Sequence, residues 1–403
     1  MKKLIALILC ALMISASGLS GSAATVSTEF AGAEVDLPLE ENTETVAIGE
    51  KLQINAKSAL LMEFNTGKIL YESNADEKLP PASITKIMSL ILVMEAIDSG
   101  KLALTDKVTA SEHAASMGGS QIWLEPGEVM TVDELLRATV IASANDATVA
   151  LAEAVSGSEE GFVAAMNQKA AALNMKNTRF VNSYGLDAEE HLTTARDVAI
   201  MSRELMKHEL IRQYTEKTMD SLRGGESELV NTNKLVRYYD GCYGLKTGTT
   251  SGAGSCLSAI AEREGLTLVA VVLGAPSSKE RFSGTQKLLD YGFANYSFAE
   301  IEADGKELTD IPVRRGTVRS VTPVVGEKFF ALLKKGEESK ITQTVELASE
   351  LTAPVKEGET VGYVHIMLSE EELGVIPITA RNGSKALSFW YCLTKLLQSL
   401  FTL

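Results

Sequence analysis

The chain has 403 residues, with 38 lysines and arginines against 53 acidic residues, for a formal net charge of −15. That length points to two or three domains, and 45% hydrophobic with 23% charged residues is an ordinary globular balance with ample material for a core. The acidic balance excludes a nucleic-acid binder, which needs a basic face against phosphates, and four cysteines are too few for a disulfide scaffold.

Both ends are basic and apolar. Residues 1–24 hold Lys2 and Lys3 and no acid, and from Arg381 onward Arg381, Lys385 and Lys395 meet no acid. Lys2-Lys3, the apolar run Leu4–Ile14 and the small-residue site Ser22-Ala23-Ala24 predict a cleaved signal peptide over 1–24. The apolar run is too short to span a bilayer. Cys10 would leave with it. Residues 25–55 are polar and acidic and read as a leader or spacer.

From Ser58 onward strands and helices mix. Ala59–Phe64 and Ile69–Tyr71, joined by Asn65-Thr66-Gly67, predict a β-hairpin. Residues 84–98 are almost all apolar and predict a helix buried on every side. Helices follow at 131–155, 159–173 and 194–207. Strands are predicted in 243–275, with a closing helix near 279–290. This order implies an α/β unit with helices in the middle of the chain. Residues 298–376 are short alternating segments punctuated by Gly316, Gly326, Gly336 and Gly358, the texture of a small all-β domain. Residues 384–403 form an amphipathic pattern. Ser384, Ser388, Lys395 and Ser399 fall on one side and Leu387, Trp390, Leu393, Leu397 and Leu400 on the other. A basic helix with Trp, Phe and Leu on its apolar face suits the bilayer interface, and Lys395 and Gln398 make it too polar to span.

Several catalytic arrangements fail. There is no G-x-S-x-G elbow and no Walker loop, and His208-Glu209-Leu210-Ile211-Arg212 has Arg where a zincin helix needs its second His. With four histidines in the chain, no metal site and no cofactor are expected. Pro81-Ala82-Ser83-Ile84-Thr85-Lys86 opens the apolar helix. Residues three apart meet on one helix face, so Lys86 can reach Ser83. A serine needs a base to attack, and a lysine serves only when burial and a neighbouring positive charge keep it neutral. Ser143-Ala144-Asn145 and Lys246-Thr247-Gly248 follow, and each of the three motifs occurs once.

In this order the three resemble the S-x-x-K, S-x-N, K-[ST]-G set of penicillin-recognising serine enzymes. The similarity is closer to D-alanyl-D-alanine carboxypeptidases, the low-molecular-mass penicillin-binding proteins. It also runs through Pro80–Lys86, Met117-Gly-Gly-Ser, Phe180–Leu186, His191–Asp197 and Gly244–Thr250. The resemblance implies an α/β (α+β) penicillin-binding, serine β-lactamase-like domain with an antiparallel sheet and a helical region over 56–296. A small all-β domain over 297–378 and a C-terminal amphipathic membrane anchor over 383–403 would follow. It implies that Ser83 attacks the carbonyl between two terminal D-alanines of a peptidoglycan stem peptide, and that Lys86 takes the serine proton. Ser143 would relay a proton to the leaving amine and Asn145 would hold the peptide backbone. Lys246 would add positive field, Thr247 would bind the terminal carboxylate, and Gly248 would leave room for the substrate. Ser83 and Thr249 would donate the oxyanion-hole N–H groups. β-Lactams would trap Ser83. Where some members place an arginine near the carboxylate, this chain has Thr232, which shifts that task to Thr247 and Lys246. His191 and Arg196 are expected to be structural.

Cys242 and Cys256 are left either bridged or as free buried thiols. Three rival functions share the motifs. A class A β-lactamase needs a deacylating glutamate, and Lys169–Asn174 has alanine at that place. A non-catalytic cell-wall-binding protein has no need of intact Ser83, Lys86 and Lys246. A D,D-endopeptidase would use the same site on cross-links. The expected location is the outer face of the cytoplasmic membrane.

Overall fold

Continuous apolar strands must be covered on both faces. The computed structural model, which describes residues 52–303, 308–326 and 328–401, shows how this is done. The predicted signal peptide and nearly all of the 25–55 leader lie outside the described residues. Along Leu266–Ala275, Val269, Val271 and Leu273 pack with Leu60 and Ile260 into one core. Leu268, Ala270 and Val272 between them pack with Leu61 and Leu257 into another. Successive side chains point to opposite faces, so one strand serves two cores.

The sheet has five antiparallel strands: β1 (Ser58–Glu63), β2 (Ile69–Ser73), β3 (Cys242–Thr250), β4 (Gly254–Arg263) and β5 (Leu266–Ala275), in the order β2-β1-β5-β4-β3. The β1–β2 turn is closed by the Glu63 carboxylate, which accepts the N–H groups of Asn65 and Thr66 at 2.8 and 2.6 Å. β3, which carries Lys246-Thr247-Gly248, is one of the two edge strands.

One face of the sheet carries the helical region: α1 (Lys86–Asp98), α2 (Val132–Ile141), α3 (Asn145–Ser156), α4 (Glu159–Ala172) and α5 (Ala195–Leu205). The other face carries α6 (Ser278–Asn295). α1 is buried over most of its length, as its composition predicts. The predicted helix 131–155 is instead two helices. It breaks at Ala142-Ser143-Ala144, where Ser143 takes φ 62° and Ala144 is extended. No glycine or proline marks the spot. A local helix-end bond, Ala144 N to Ala138 O at 3.1 Å, closes α2, and a tertiary bond, Asn145 N to Ser120 O at 2.7 Å, fixes the start of α3. α6 also runs five residues past its predicted end, to Asn295.

Between α6 and the last helix the regular structure of the described residues is strand apart from one 3₁₀ turn, Glu338–Lys340. Tyr296–Ile301 pairs with Phe329–Lys334, and Pro323–Val325, Glu371–Ala380, Thr360–Leu368 and Ile341–Leu347 form a four-stranded antiparallel sheet. Val364, Ile366, Ile376 and Ile378 centre a third core. The last helix, α7, spans Phe389–Phe401. Ser384, expected on its polar side, precedes the helix. It is buried, and its hydroxyl accepts from Val318 N at 3.1 Å and donates to Val318 O at 3.0 Å. Phe389, Trp390, Leu396 and Leu397 stand exposed on α7, and among the described residues no helix is long and apolar enough to cross a membrane.

Candidate active site

Two prolines feed a single 3₁₀ turn, Ala82–Thr85, that leads into α1. In a 3₁₀ helix residues i and i+3 eclipse, so the turn stacks Lys86 over Ser83. The turn starts from a costly conformation, since Ala82 has φ 48°. A relay braces it. The Thr85 hydroxyl donates to Ala82 O at 2.8 Å, His191 Nε2 lies 2.8 Å from Thr85 Oγ1, and Val181 N donates to His191 Nδ1 at 2.9 Å. With Nδ1 accepting and the threonine proton already committed, Nε2 carries the ring proton and donates it. Burial pushes the His191 pKa down to about 4, so the ring is neutral near pH 7.

Lys86 has no exposed surface. Its Nζ lies 3.1 Å from Ser83 Oγ, 2.6 Å from Asn145 Oδ1 and 2.8 Å from Tyr184 O. Burial, then the charge of Lys246, holds its pKa well below the usual lysine value, and Asp146 opposes them. A neutral amine has two N–H groups and one lone pair. Asn145 Oδ1 and Tyr184 O only accept, so they take the two protons. The lone pair then faces the serine hydroxyl. This is the arrangement in which a lysine can remove a serine proton.

Asn145 reaches this place because α3 starts there. Its Nδ2 donates to Gly118 O at 2.6 Å, which fixes the amide with its oxygen toward the lysine. Tyr184 reaches it because Gly185 lets its segment lie against the 3₁₀ turn. A Cβ at Gly185 would sit 1.9 Å from Ala82 O. Gly248 does the same from the sheet side, since a Cβ there would lie 2.8 Å from Ser83 N and 2.9 Å from Ala82 Cβ. Its missing side chain therefore first makes room for the nucleophile's own turn, where the sequence reading gave that room to a ligand.

Along β3, Lys246 is buried and donates to Thr247 O at 3.2 Å; burial and Arg281 push its pKa down to about 7. Thr247 Oγ1 donates to Thr232 Oγ1 at 2.8 Å. Arg281 Nη1 donates to Thr249 Oγ1 at 2.7 Å and to Gly248 O at 3.3 Å. This guanidinium, on α6, is a site cation that the sequence reading missed. It lies 33 residues after Gly248 in a helix with no motif. Asp187 was missed too. It accepts from Thr250 Oγ1 at 2.6 Å and Gly252 N at 2.9 Å, tying the segment after Gly185 to the end of β3.

The structure thus brings Ser83, Lys86 and Asn145 within hydrogen-bonding reach and lays Gly248 against the serine. Ser143 is buried at the break two residues before Asn145. Cys242 and Cys256 are free and buried, opposite Ala261 and Gly248 respectively. Among the described residues no cluster of His, Cys, Asp and Glu could hold a metal ion.

Residues 43–277 match the family model described as D-alanyl-D-alanine carboxypeptidase, and residues 296–385 match that of the penicillin-binding protein 5 C-terminal domain. The chain is 43% identical over 343 residues to the D-alanyl-D-alanine carboxypeptidase DacF of Bacillus subtilis, covering 84% of this chain and 88% of that one. Penicillin-binding protein 5 from Haemophilus influenzae aligns in structure with TM-score 0.70 at 32% identity, over 83% of this chain and 99% of that one. Penicillin-binding protein D2 from Listeria monocytogenes, in its ampicillin-bound form, aligns with TM-score 0.56 at 32% identity, over 60% and 100%.

The close approach at Gly185 predicts a graded cost. Gly157 also has positive φ but has nothing within 4 Å of a Cβ. Gly157→Ala should cost about 1 kcal/mol from backbone strain alone, and Gly185→Ala at least twice that by urea unfolding. Equal costs would mean that the Tyr184–Gly185 segment does not pack on the 3₁₀ turn.

Proposed function

This chain belongs to the D-alanyl-D-alanine carboxypeptidase family, and we propose that it removes the terminal D-alanine from peptidoglycan stem peptides through an acyl-enzyme on Ser83. The observation that carries this reading is the buried Lys86 amine, whose Nζ lies 3.1 Å from Ser83 Oγ and within 2.8 Å of two oxygens that can only accept.

Ser83 Oγ attacks the carbonyl between the two D-alanines as Lys86 takes its proton. The N–H groups of Ser83 and Thr249 stabilise the oxyanion. Ser143 relays a proton to the departing amine. The substrate adds antiparallel along the edge strand β3, where an edge offers unpaired backbone groups to an extended peptide. Asn145 holds the acyl-side amide. Lys246 and Thr247 hold the terminal carboxylate, and Arg281 adds positive field from behind Thr249. Water then hydrolyses the ester. β-Lactams acylate the same serine. The predicted signal peptide and the exposed apolar residues of α7 fit an exported protein held on the outer face of the cytoplasmic membrane by an interfacial helix.

Three outcomes test this. Ser83→Ala should abolish both D-alanine release and the stable benzylpenicillin adduct seen by intact mass; activity that survives the substitution would sink the assignment. The charge of Lys246 depresses the pKa of Lys86, so removing it must raise that pKa. Lys86 must be neutral to act as base, so Lys246→Met should move the acid limb of the acylation profile to higher pH. An unmoved limb would dissociate the two lysines. Because Ser384 and Leu387 are bonded to Val318 and Arg315, the anchor should be cut after Ser388. That truncation should keep catalysis and release the protein from membranes, and continued co-sedimentation with membranes would refute the anchor.

A further inference from the structure

Trp123 is 69% exposed and has φ 59°. Each feature is unfavourable: a bulky residue rarely adopts the left-handed region, and water is a poor setting for an indole. The surrounding structure imposes both. Ile122 N donates to the two Asp146 carboxylate oxygens at 3.2 and 3.0 Å, and Leu124 N donates to Asp146 Oδ2 at 3.1 Å. Arg223 Nη1 donates to Ile122 O at 3.0 Å. The side chains of Ile122 and Leu124 are both buried. The residues on either side of Trp123 are thus pinned inward, and only the indole is turned out.

The mount is tied directly to the site. Asp146, which clamps the backbone around Trp123, adjoins Asn145, whose Oδ1 lies 2.6 Å from Lys86 Nζ. The same segment contributes Ser120 O to Asn145 N at 2.7 Å and Gly118 O to Asn145 Nδ2 at 2.6 Å. The indole therefore stands on a rigid support shared with the catalytic lysine. Strain of this kind persists where the structure over-determines it, and it clusters at ligand clamps.

We infer that Trp123 is a stacking surface for the acyl part of the substrate, the peptide on the N-terminal side of the scissile bond. This rests on the carboxypeptidase reading above. The leaving D-alanine is one residue, and Lys246 and Thr247 already take it, so it has no length left to reach a second surface. With Asn145 holding the acyl-side amide, the peptide beyond it would run toward the 118–124 segment, which is bonded to Asn145 through Ser120 O and Gly118 O. The glycan is joined several residues further along, at roughly 3.5 Å per residue, which places it beyond a support tied to Asn145. Peptide planes and aliphatic stems lie well against an indole face, and its N–H offers a donor at the edge.

The chain has two tryptophans, Trp123 and Trp390. In the full chain carrying Ser83→Ala and Trp390→Phe, fluorescence reports on Trp123 with no turnover. A sugar-free stem pentapeptide should change it saturably, whereas N-acetyl-D-Ala-D-Ala and the peptide-free disaccharide should not. In the chain with Ser83 intact, Trp123→Ala should raise KM for the pentapeptide about tenfold with kcat little changed, the scale of one aromatic contact. N-acetyl-D-Ala-D-Ala should be handled as before, and Trp123→Phe should restore most of the loss. Equal effects on both substrates would overturn the inference, as would an indole that responds only to the disaccharide. If the unaltered chain releases D-alanine from neither substrate, the carboxypeptidase reading fails and this inference fails with it.

Discussion

A lysine amine without any exposed surface is the constraint on which the site depends. Burying a charged ammonium is expensive, so the group gives up its proton or finds partners. Lys86 has partners that fit the neutral form: two acceptors that cannot donate, and one hydroxyl. Burial thereby favours a neutral amine whose remaining partner is a single hydroxyl. Each of the three partners comes from a different part of the chain. Ser83 comes from the turn before α1, Asn145 from the head of α3, and Tyr184 from the segment between α4 and α5. The helical region is packed so that these three meet.

The charges around the lysine are arranged as a balance. Lys246 and burial disfavour its proton, while Asp146 favours it. Asp146 in turn accepts from Ile122 N, Leu124 N and Ala147 N, which stabilise its charged form against its own burial. Arg281 lowers the pKa of Lys246 from the next layer. Positive charge is therefore stacked along β3, and each cation disfavours the proton of the next: Arg281 that of Lys246, and Lys246 that of Lys86.

The three motifs were legible because each puts chemistry-bearing side chains at fixed spacing, and the hairpin, the buried helix and the strand-rich C-terminal part were legible from hydrophobic pattern. What the sequence hid was long-range. The break at Ala142-Ser143-Ala144 lies inside a stretch whose local propensity favours continuous helix, and it is stabilised by Ser120 from another segment. Arg281 and Asp187 act through tertiary contacts and belong to no periodic pattern. The pairing of Cys242 and Cys256 could not be read either. It is settled by register, since Cys256 stands opposite Gly248 and Cys242 opposite Ala261. Ser384 fitted a helical wheel, yet its hydroxyl bonds to Val318 and starts the helix later than the pattern suggests.

Three of the left-handed non-glycine residues show how rigidity is concentrated around the site. Ala82, Trp123 and Ser143 are not glycines, and each has φ between 48° and 62°. Ala82 adjoins Ser83 and Ser143 lies two residues before Asn145, both of which touch Lys86, while Trp123 sits between two residues whose N–H groups bond Asp146, the neighbour of Asn145. Such conformations cost about 1–3 kcal/mol apiece and hold only where neighbours leave no alternative. Here the neighbours are identifiable: the His191–Thr85 relay for Ala82, the Asp146 carboxylate for Trp123, and the Ser120–Asn145 bond for Ser143. Replacing these residues by glycine would relieve the strain and also release the turn, so the strain is better seen as the consequence of fixing three segments against one amine. The 3.1 Å contact between Ser83 Oγ and Lys86 Nζ depends on that fixity, because a turn free to relax would let the hydroxyl rotate away from the amine.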